Sequence, residues 1–208
     1  MPKKPWILFD VGGVLEVVDD DTWQEEWWDR VRAVSGLAPH DVDARVAEAD
    51  LPRIDLTVGT ENAFWSGLAE ALDLDDQQRS AIRADFWDAY CGTGNQELIE
   101  YARSLRSRAG VAILSNSADG AREEEERRFG FASIFDPICY SHELGVAKPE
   151  PQAYLLTLQA LGADPSDVLF IDDHRVAIEG ADAVGIRGIL HRENAVTISA
   201  VEEFLAGH

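Results

Sequence analysis

Three short stretches of this chain end in the same way. Trp6-Ile7-Leu8-Phe9 runs into Asp10, Val111-Ala112-Ile113-Leu114 into Ser115, and Val168-Leu169-Phe170-Ile171 into Asp172. An unbroken apolar run has no wet face, so each suits a strand buried on both sides of a parallel sheet. Parallel strands need long crossovers, usually helical. Asn95–Arg108 supplies one, with Leu98, Tyr101, Ala102 and Leu105 at helical spacing and Gly110 after its end. Pro151–Leu161 repeats the pattern and stops at Gly162, and Glu179–Val184 reads as a short helix before a final strand, Ile186–Leu190. Strand and helix alternate from about residue 95 onward, the pattern of an α/β, doubly wound parallel sheet. In such sheets ligands bind beyond the carboxyl ends of the strands, where the three runs deliver Asp10, Ser115 and Asp172.

Residues 16–91 break the alternation and read as helices only: Thr22–Val34, His40–Ala49, Thr60–Leu72 and Asp75–Tyr90. Gly36, Pro39, Pro52, Gly59, Gly92 and Gly94 separate them. This is the pattern of a helical insertion at 16–91 within a core made of 1–15 and 92–208. Five of the six tryptophans fall in it, Trp23, Trp27, Trp28, Trp65 and Trp87. They are expected to pack the small bundle, with one or two free to face a ligand. Glu123–Glu126 followed by Arg127 and Arg128 reads as a solvated helix face with i,i+4 pairs.

At 208 residues and 46 % apolar content, the chain can bury a substantial core. Its 39 acidic against 18 basic residues give a formal charge of −21, which repels nucleic acid and anionic membranes and excludes both as partners. An anionic substrate must therefore be held by a local cluster of positive groups and metal. The apolar start Trp6–Phe9 is far too short for a signal core or a membrane span. Cys91 and Cys139 match no metal or redox spacing and read as reduced thiols of a cytoplasmic protein. Nothing in the sequence signals an oligomeric state.

Four places carry chemistry. Asp10, followed by Val11-Gly12-Gly13-Val14, serves equally well as nucleophile, metal ligand or cap, and the paired glycines let the backbone approach a ligand closely. Asp172 and Asp173 stand side by side at a strand end, where they repel each other unless a cation lies between them. They either bind a hard divalent metal, magnesium above all, or cap the following helix. Ser115-Asn116 offers a hydroxyl, an amide and backbone N–H groups to an oxyanion, or again a helix cap. Lys148 is the most telling: the chain has 18 basic residues but only three lysines, and the other two, Lys3 and Lys4, lie in the N-terminal tail. A lone internal lysine among arginines points to a compact ammonium suited to phosphate in a metal-crowded pocket. His142, His174 and His191 are further titratable candidates; His174 adjoins the acidic pair but reads first as a partly exposed loop side chain.

In this order and on these elements, the motifs resemble those of the haloacid dehalogenase superfamily. Phe9-Asp10-Val11-Gly12-Gly13-Val14-Leu15 resembles its first motif and Ile113-Leu114-Ser115-Asn116 its second. Gly145 to Pro151, with Lys148, is similar to the third, and Phe170-Ile171-Asp172-Asp173 to the fourth. The stretch 16–91 matches the helical cap that many members carry between the first two motifs. The resemblance implies a Rossmann-like core and a magnesium-dependent phosphohydrolase acting on a small phosphorylated metabolite. It implies that Asp10 attacks phosphorus and forms an aspartyl-phosphate. Asp10, the Gly12 carbonyl, Asp172 and Asp173 would hold Mg2+, with Asp173 the more direct ligand of the pair. Ser115, Asn116 and Lys148 would hold the phosphoryl oxygens.

Two positions depart from the pattern. Many family phosphatases carry a general acid–base aspartate two places after the nucleophile; Gly12 stands there and cannot protonate a leaving group. That help is worth about 10²–10⁴-fold, so substrates with good leaving groups, such as anomeric sugar phosphates, are favoured. Ala177 stands where relatives often place asparagine, which weakens support of the metal site. Two other readings remain: a 2-haloacid dehalogenase, against which the acidic pair speaks, and a non-catalytic phosphate-binding or regulatory domain, against which Asp10 and Lys148 speak.

Overall fold

The computed structural model describes residues 4–18 and 22–208, so Lys3 lies outside it. The first half runs β1 (Trp6–Phe9), β2 (Glu16–Val17), α1 (Trp23–Ser35), α2 (Pro39–Glu48), α3 (Glu61–Ala71), α4 (Asp76–Cys91) and β3 (Thr93–Gly94). The second runs α5 (Gln96–Leu105), β4 (Gly110–Ser115), α6 (Ala121–Phe129), β5 (Ile138–Tyr140), α7 (Ser141–Leu144) and α8 (Pro151–Leu161). It closes with β6 (Val168–Asp172), α9 (Arg175–Ala183), β7 (Arg187–Leu190) and α10 (Asn194–Ala206).

The main sheet is wholly parallel, in the order β5-β4-β1-β6-β7. The three apolar runs are thus adjacent central strands, and the chain winds outward from β1 in both directions. In register, Phe9 lies opposite Ile113 on one side and Ile171 on the other, so Asp10 is level with Asp172 and one step short of Ser115. Alternate residues face opposite layers, as a strand period of two requires. Ile7, Phe9, Ile113 and Ile171 pack with Leu98, Ala102 and Leu105 of α5 and Val201 and Phe204 of α10. Leu8, Leu114 and Phe170 pack on the other side with Tyr154, Leu158 and Leu161 of α8 and Ala177 and Ala181 of α9.

The four helices α1–α4 surround an aromatic core of their own. Phe86 lies 5.0–5.7 Å, ring centroid to centroid, from Trp23, Trp27, Trp65, Trp87 and Tyr90. Glu61, at the start of α3, accepts the indole N–H groups of Trp65 and Trp87, each at 3.0 Å, so two large buried rings leave no donor unsatisfied. Asp75 and Gln78 form a reciprocal capping box that starts α4.

The stretch from 16 onward is not helical throughout. Glu16 and Val17 pair antiparallel with Gly94 and Thr93, so a two-stranded ribbon joins the points where the chain leaves and re-enters the sheet region. A further strap crosses from the loop before α3: Asp119 N–H donates to the Ile54 carbonyl at 2.7 Å, and the Ser141 hydroxyl to the Asp55 carbonyl at 2.9 Å. The expected solvated face of α6 also needs correction. Glu124 does pair with Arg127 and Arg128, but Glu125 is fully buried and accepts a hydrogen bond from the Tyr140 hydroxyl. Burial pushes the Glu125 carboxyl up to about 8, against the pull of that bond. Cys91 and Cys139 are free and buried.

Candidate functional site

The turn after β1 is shaped by its glycines. Gly13 has φ of +66°, and a Cβ there would stand 2.3 Å from the Asp173 carboxylate, so only glycine lets the two segments approach. The Val14, Leu15 and Glu16 N–H groups all turn back to the Val11 carbonyl, folding the loop tightly over the end of β1.

Lys148 is the hub. Its Nζ lies 2.7 Å from Asp10 Oδ1 and 2.7 Å from Asp172 Oδ2, with all three side chains buried. Its ammonium also stands 5.4 Å from the centroid of the Phe170 ring. Asn116 fixes the backbone of this lysine at both polar groups: its amide donates to the Lys148 carbonyl at 2.9 Å and its oxygen accepts from the Lys148 N–H at 2.8 Å. Asp10 Oδ1 accepts a second bond from the Val11 N–H at 2.8 Å. Asp172 Oδ1 accepts from the His174 N–H at 2.7 Å, just before α9. That bond serves the start of the helix, which begins at Arg175 rather than Glu179.

Two carboxylates share one ammonium, so the buried cluster carries excess negative charge. Burial, then the facing Asp172 charge, pushes the Asp10 carboxyl well above the ordinary range, against the pull of Lys148. Burial alone would lower Lys148, but the Asp10 and Asp172 charges overcome it and hold the ammonium above its ordinary value. A hard cation fits such a donor set, since Asp10, Asp172, Asp173 and the Gly12 carbonyl would all offer it oxygen. Donor atoms of Asp172, Asp173 and His174 lie within 4.8 Å of one another. Asp173 is half-buried and is held by His174 Nδ1 at 2.8 Å and, through its carbonyl, by Arg192 at 3.0 Å.

A cavity of about 330 Å³ opens over this cluster, lined by Asp10, Gly12, Ser115, Asn116, Lys148 and Asp172. Six of the seven sequence-predicted site residues therefore meet there; Asp173 stands beside it, behind Gly13. His174, with a side chain 56 % exposed, lines the rim. His142 and His191 are buried core residues, bonded to Ser117 Oγ at 2.8 Å and Thr197 Oγ1 at 2.7 Å, and burial lowers both imidazoles. Sequence reasoning missed Glu16, Gln24 and Tyr90, which also line the cavity, because the β2–β3 ribbon brings the first there and the packing of α1 and α4 the other two. Of the tryptophans, Trp23 reaches this cavity, while Trp65 belongs to the core of the bundle.

Known proteins resemble this chain over most of its length. A phosphatase of Mycobacterium tuberculosis is 29 % identical over 190 residues, spanning 88 % of this chain and 85 % of that protein. An N-acetylmuramic acid 6-phosphate phosphatase of Pseudomonas aeruginosa is 27 % identical over 202 residues, 90 % of this chain and 84 % of that one. A haloacid dehalogenase family enzyme of Bacteroides thetaiotaomicron, solved with magnesium and inorganic phosphate, shares the fold at a TM-score of 0.71 and 21 % identity, covering 92 % of this chain and 96 % of its own. The model of the haloacid dehalogenase-like hydrolases matches residues 5–185, from the first buried strand to beyond the acidic pair, and the chain belongs to that family of enzymes.

Proposed function

We propose that this hydrolase is a magnesium-dependent phosphatase of small phosphorylated metabolites, with Asp10 as the nucleophile. The observation that carries the reading is Lys148 held 2.7 Å from both Asp10 and Asp172 at the floor of the cavity. A buried ammonium between two carboxylates leaves net negative charge, which suits a divalent cation and a phosphoryl dianion bound together. Relatives named as phosphatases, matched over 85 % and 84 % of their own length, support the same chemistry.

Asp10, the Gly12 carbonyl, Asp172 and Asp173 would hold magnesium, which when bound supplies positive charge that lets one anion approach another. Lys148, Ser115 and Asn116 bind the phosphoryl oxygens and orient phosphorus in line with an Asp10 oxygen. A bond from that oxygen to phosphorus forms as the ester P–O bond breaks, giving an aspartyl-phosphate and the departing alcohol. Gly12 offers no proton, so the leaving oxygen takes one from solvent. Water then attacks phosphorus, releases phosphate and returns the Asp10 carboxylate. The helices α1–α4 act as a cap that encloses the reaction. A haloacid in this cavity would meet Asp172 and Glu16 with its own carboxylate, which disfavours the dehalogenase reading.

The test is phosphate release from an activated aryl phosphate and a panel of sugar monophosphates, with and without magnesium. Release should require the metal and vanish in Asp10→Asn. Metal-independent release, or an active Asp10→Asn protein, would overturn the reading.

A further inference from the structure

A second cavity, of about 350 Å³, adjoins the first, and the two share Trp23, Gln24, Tyr90 and Asn116. The phosphoryl site and this chamber therefore lie side by side, with those four side chains common to their walls. Its walls are rings: Trp27, Trp28, Phe64 and Phe86 all line it. Its polar floor is already committed, since the Ser141 hydroxyl accepts from the Ser117 N–H at 2.9 Å while Ser117 Oγ bonds His142.

Charge narrows the occupant. Among the described residues lining the two cavities, Asp10, Glu16, Asp55 and Asp172 are acidic, and Lys148 is the one permanent cation. That cation is taken up by the phosphoryl site. The acid of the chamber, Asp55, is already paired with Arg53 at 2.6 and 2.8 Å, so a second phosphate or a carboxylate on the substrate would enter an aromatic chamber that offers it no uncommitted cation, on a molecule of net charge −21. A charge buried unpaired in this way costs several-fold to many-fold in affinity. An uncharged ring instead stacks on the aromatic walls. Gly12 adds an independent constraint, because a site without a proton donor favours alcohols of low basicity.

We infer that the substrate is a monophosphate ester whose leaving group is an uncharged ring with an apolar face, seated in the chamber walled by Trp23, Trp27, Trp28 and Phe86, and that substrates with a second anionic group are rejected. The inference rests on the phosphatase reading above. Acetyl phosphate, which has no ring, reports transfer to Asp10 alone. Phenyl phosphate and para-carboxyphenyl phosphate then form a matched pair, in which the carboxylate makes the better leaving group. Chemistry by itself favours the carboxylated ester, so a preference against it comes from the chamber.

The expected result is magnesium-dependent turnover of all three, with kcat/KM for the carboxylated ester about tenfold or more below that for phenyl phosphate. Gln24→Lys, an exposed position shared by both cavities, should shift that ratio toward the carboxylated ester. Equal or reversed preference in the wild type, or a ratio unmoved by Gln24→Lys, overturns the inference while acetyl phosphate turnover leaves the phosphatase reading standing. Absence of acetyl phosphate turnover overturns both.

Discussion

Lys148 sits where removal of a single charge has two consequences. Without it, Asp10 and Asp172 face each other, buried and uncompensated. Breaking a buried pair in this way costs about 3–5 kcal/mol. Lys148→Met should therefore lower the urea midpoint as well as reduce phosphate release by about 10³-fold. A variant of unchanged stability would show that the two carboxylates do not depend on it. Glu125 gives a pH prediction. Its carboxyl stays protonated in the folded chain to about pH 8, whereas its ordinary value is 4.5. Its contribution to stability is thus fully present below pH 4.5 and is lost as pH rises through about 8. Urea melts at pH 6 and pH 9 should show the wild type losing more stability between them than Glu125→Gln (about 1 kcal/mol or more); equal losses would contradict the assignment. Asp10 and Lys148 were legible in the sequence because type and position coincide: an acid ending an apolar run, and a lysine in a chain that otherwise uses arginine. Glu125 was not, because an acidic run beside two arginines looks wet until Tyr140 of a distant strand closes over one member.

At the scale of elements, the strap between the helical segment and the sheet is the point to test. Thr60 does not cap α3 with its own side chain; the Asp119 carboxylate, from the loop after β4, accepts the Thr60 and Glu61 N–H groups at 2.7 and 2.8 Å. Asp119→Ala removes a cap supplied in trans, at a cost of about 0.5–2 kcal/mol. It also loosens the Thr60 end of the 50–60 loop, which carries Ile54 and Asp55 to the chamber wall, while the Asp119 N–H and Ser141 hydroxyl bonds to that loop remain. Thermal melts should register the loss, and KM for an aryl phosphate should rise more than kcat falls; an unchanged KM would show that the strap does not shape the chamber. The long helices were readable from spacing and caps: Pro151–Leu161 coincides end to end, and α4 begins one residue later than expected, after its capping box. Short elements were not. β5 has only Ile138–Tyr140, and the ribbon has two residues per strand, too few to show a period. The start of α9 was missed because its first turn is anchored by the Asp172 carboxylate, a tertiary feature.

For the whole molecule, the strand runs foretold a parallel sheet with a site at its carboxyl edge but not the order β5-β4-β1-β6-β7, which makes the three strand ends neighbours. Order is a property of crossovers, and a local pattern does not encode it. The charge of −21 does act at this scale. It opposes the approach of a phosphate dianion, and salt screens that repulsion with a Debye length of about 10 Å at 0.1 M. kcat/KM should accordingly rise as ionic strength increases from about 0.02 to 0.2 M at fixed magnesium; a fall would show that local positive potential dominates the approach. Among the described residues no helix is long and apolar enough to cross a membrane. Acid quench during turnover of an aryl phosphate, followed by peptide mapping, asks whether Asp10 carries the phosphoryl group. A magnesium-dependent phosphoryl adduct on Asp10, in the segment that holds β1, is expected. Steady phosphate release with no adduct on Asp10 at any quench time, from protein in which Asp10→Asn remains active, would contradict it.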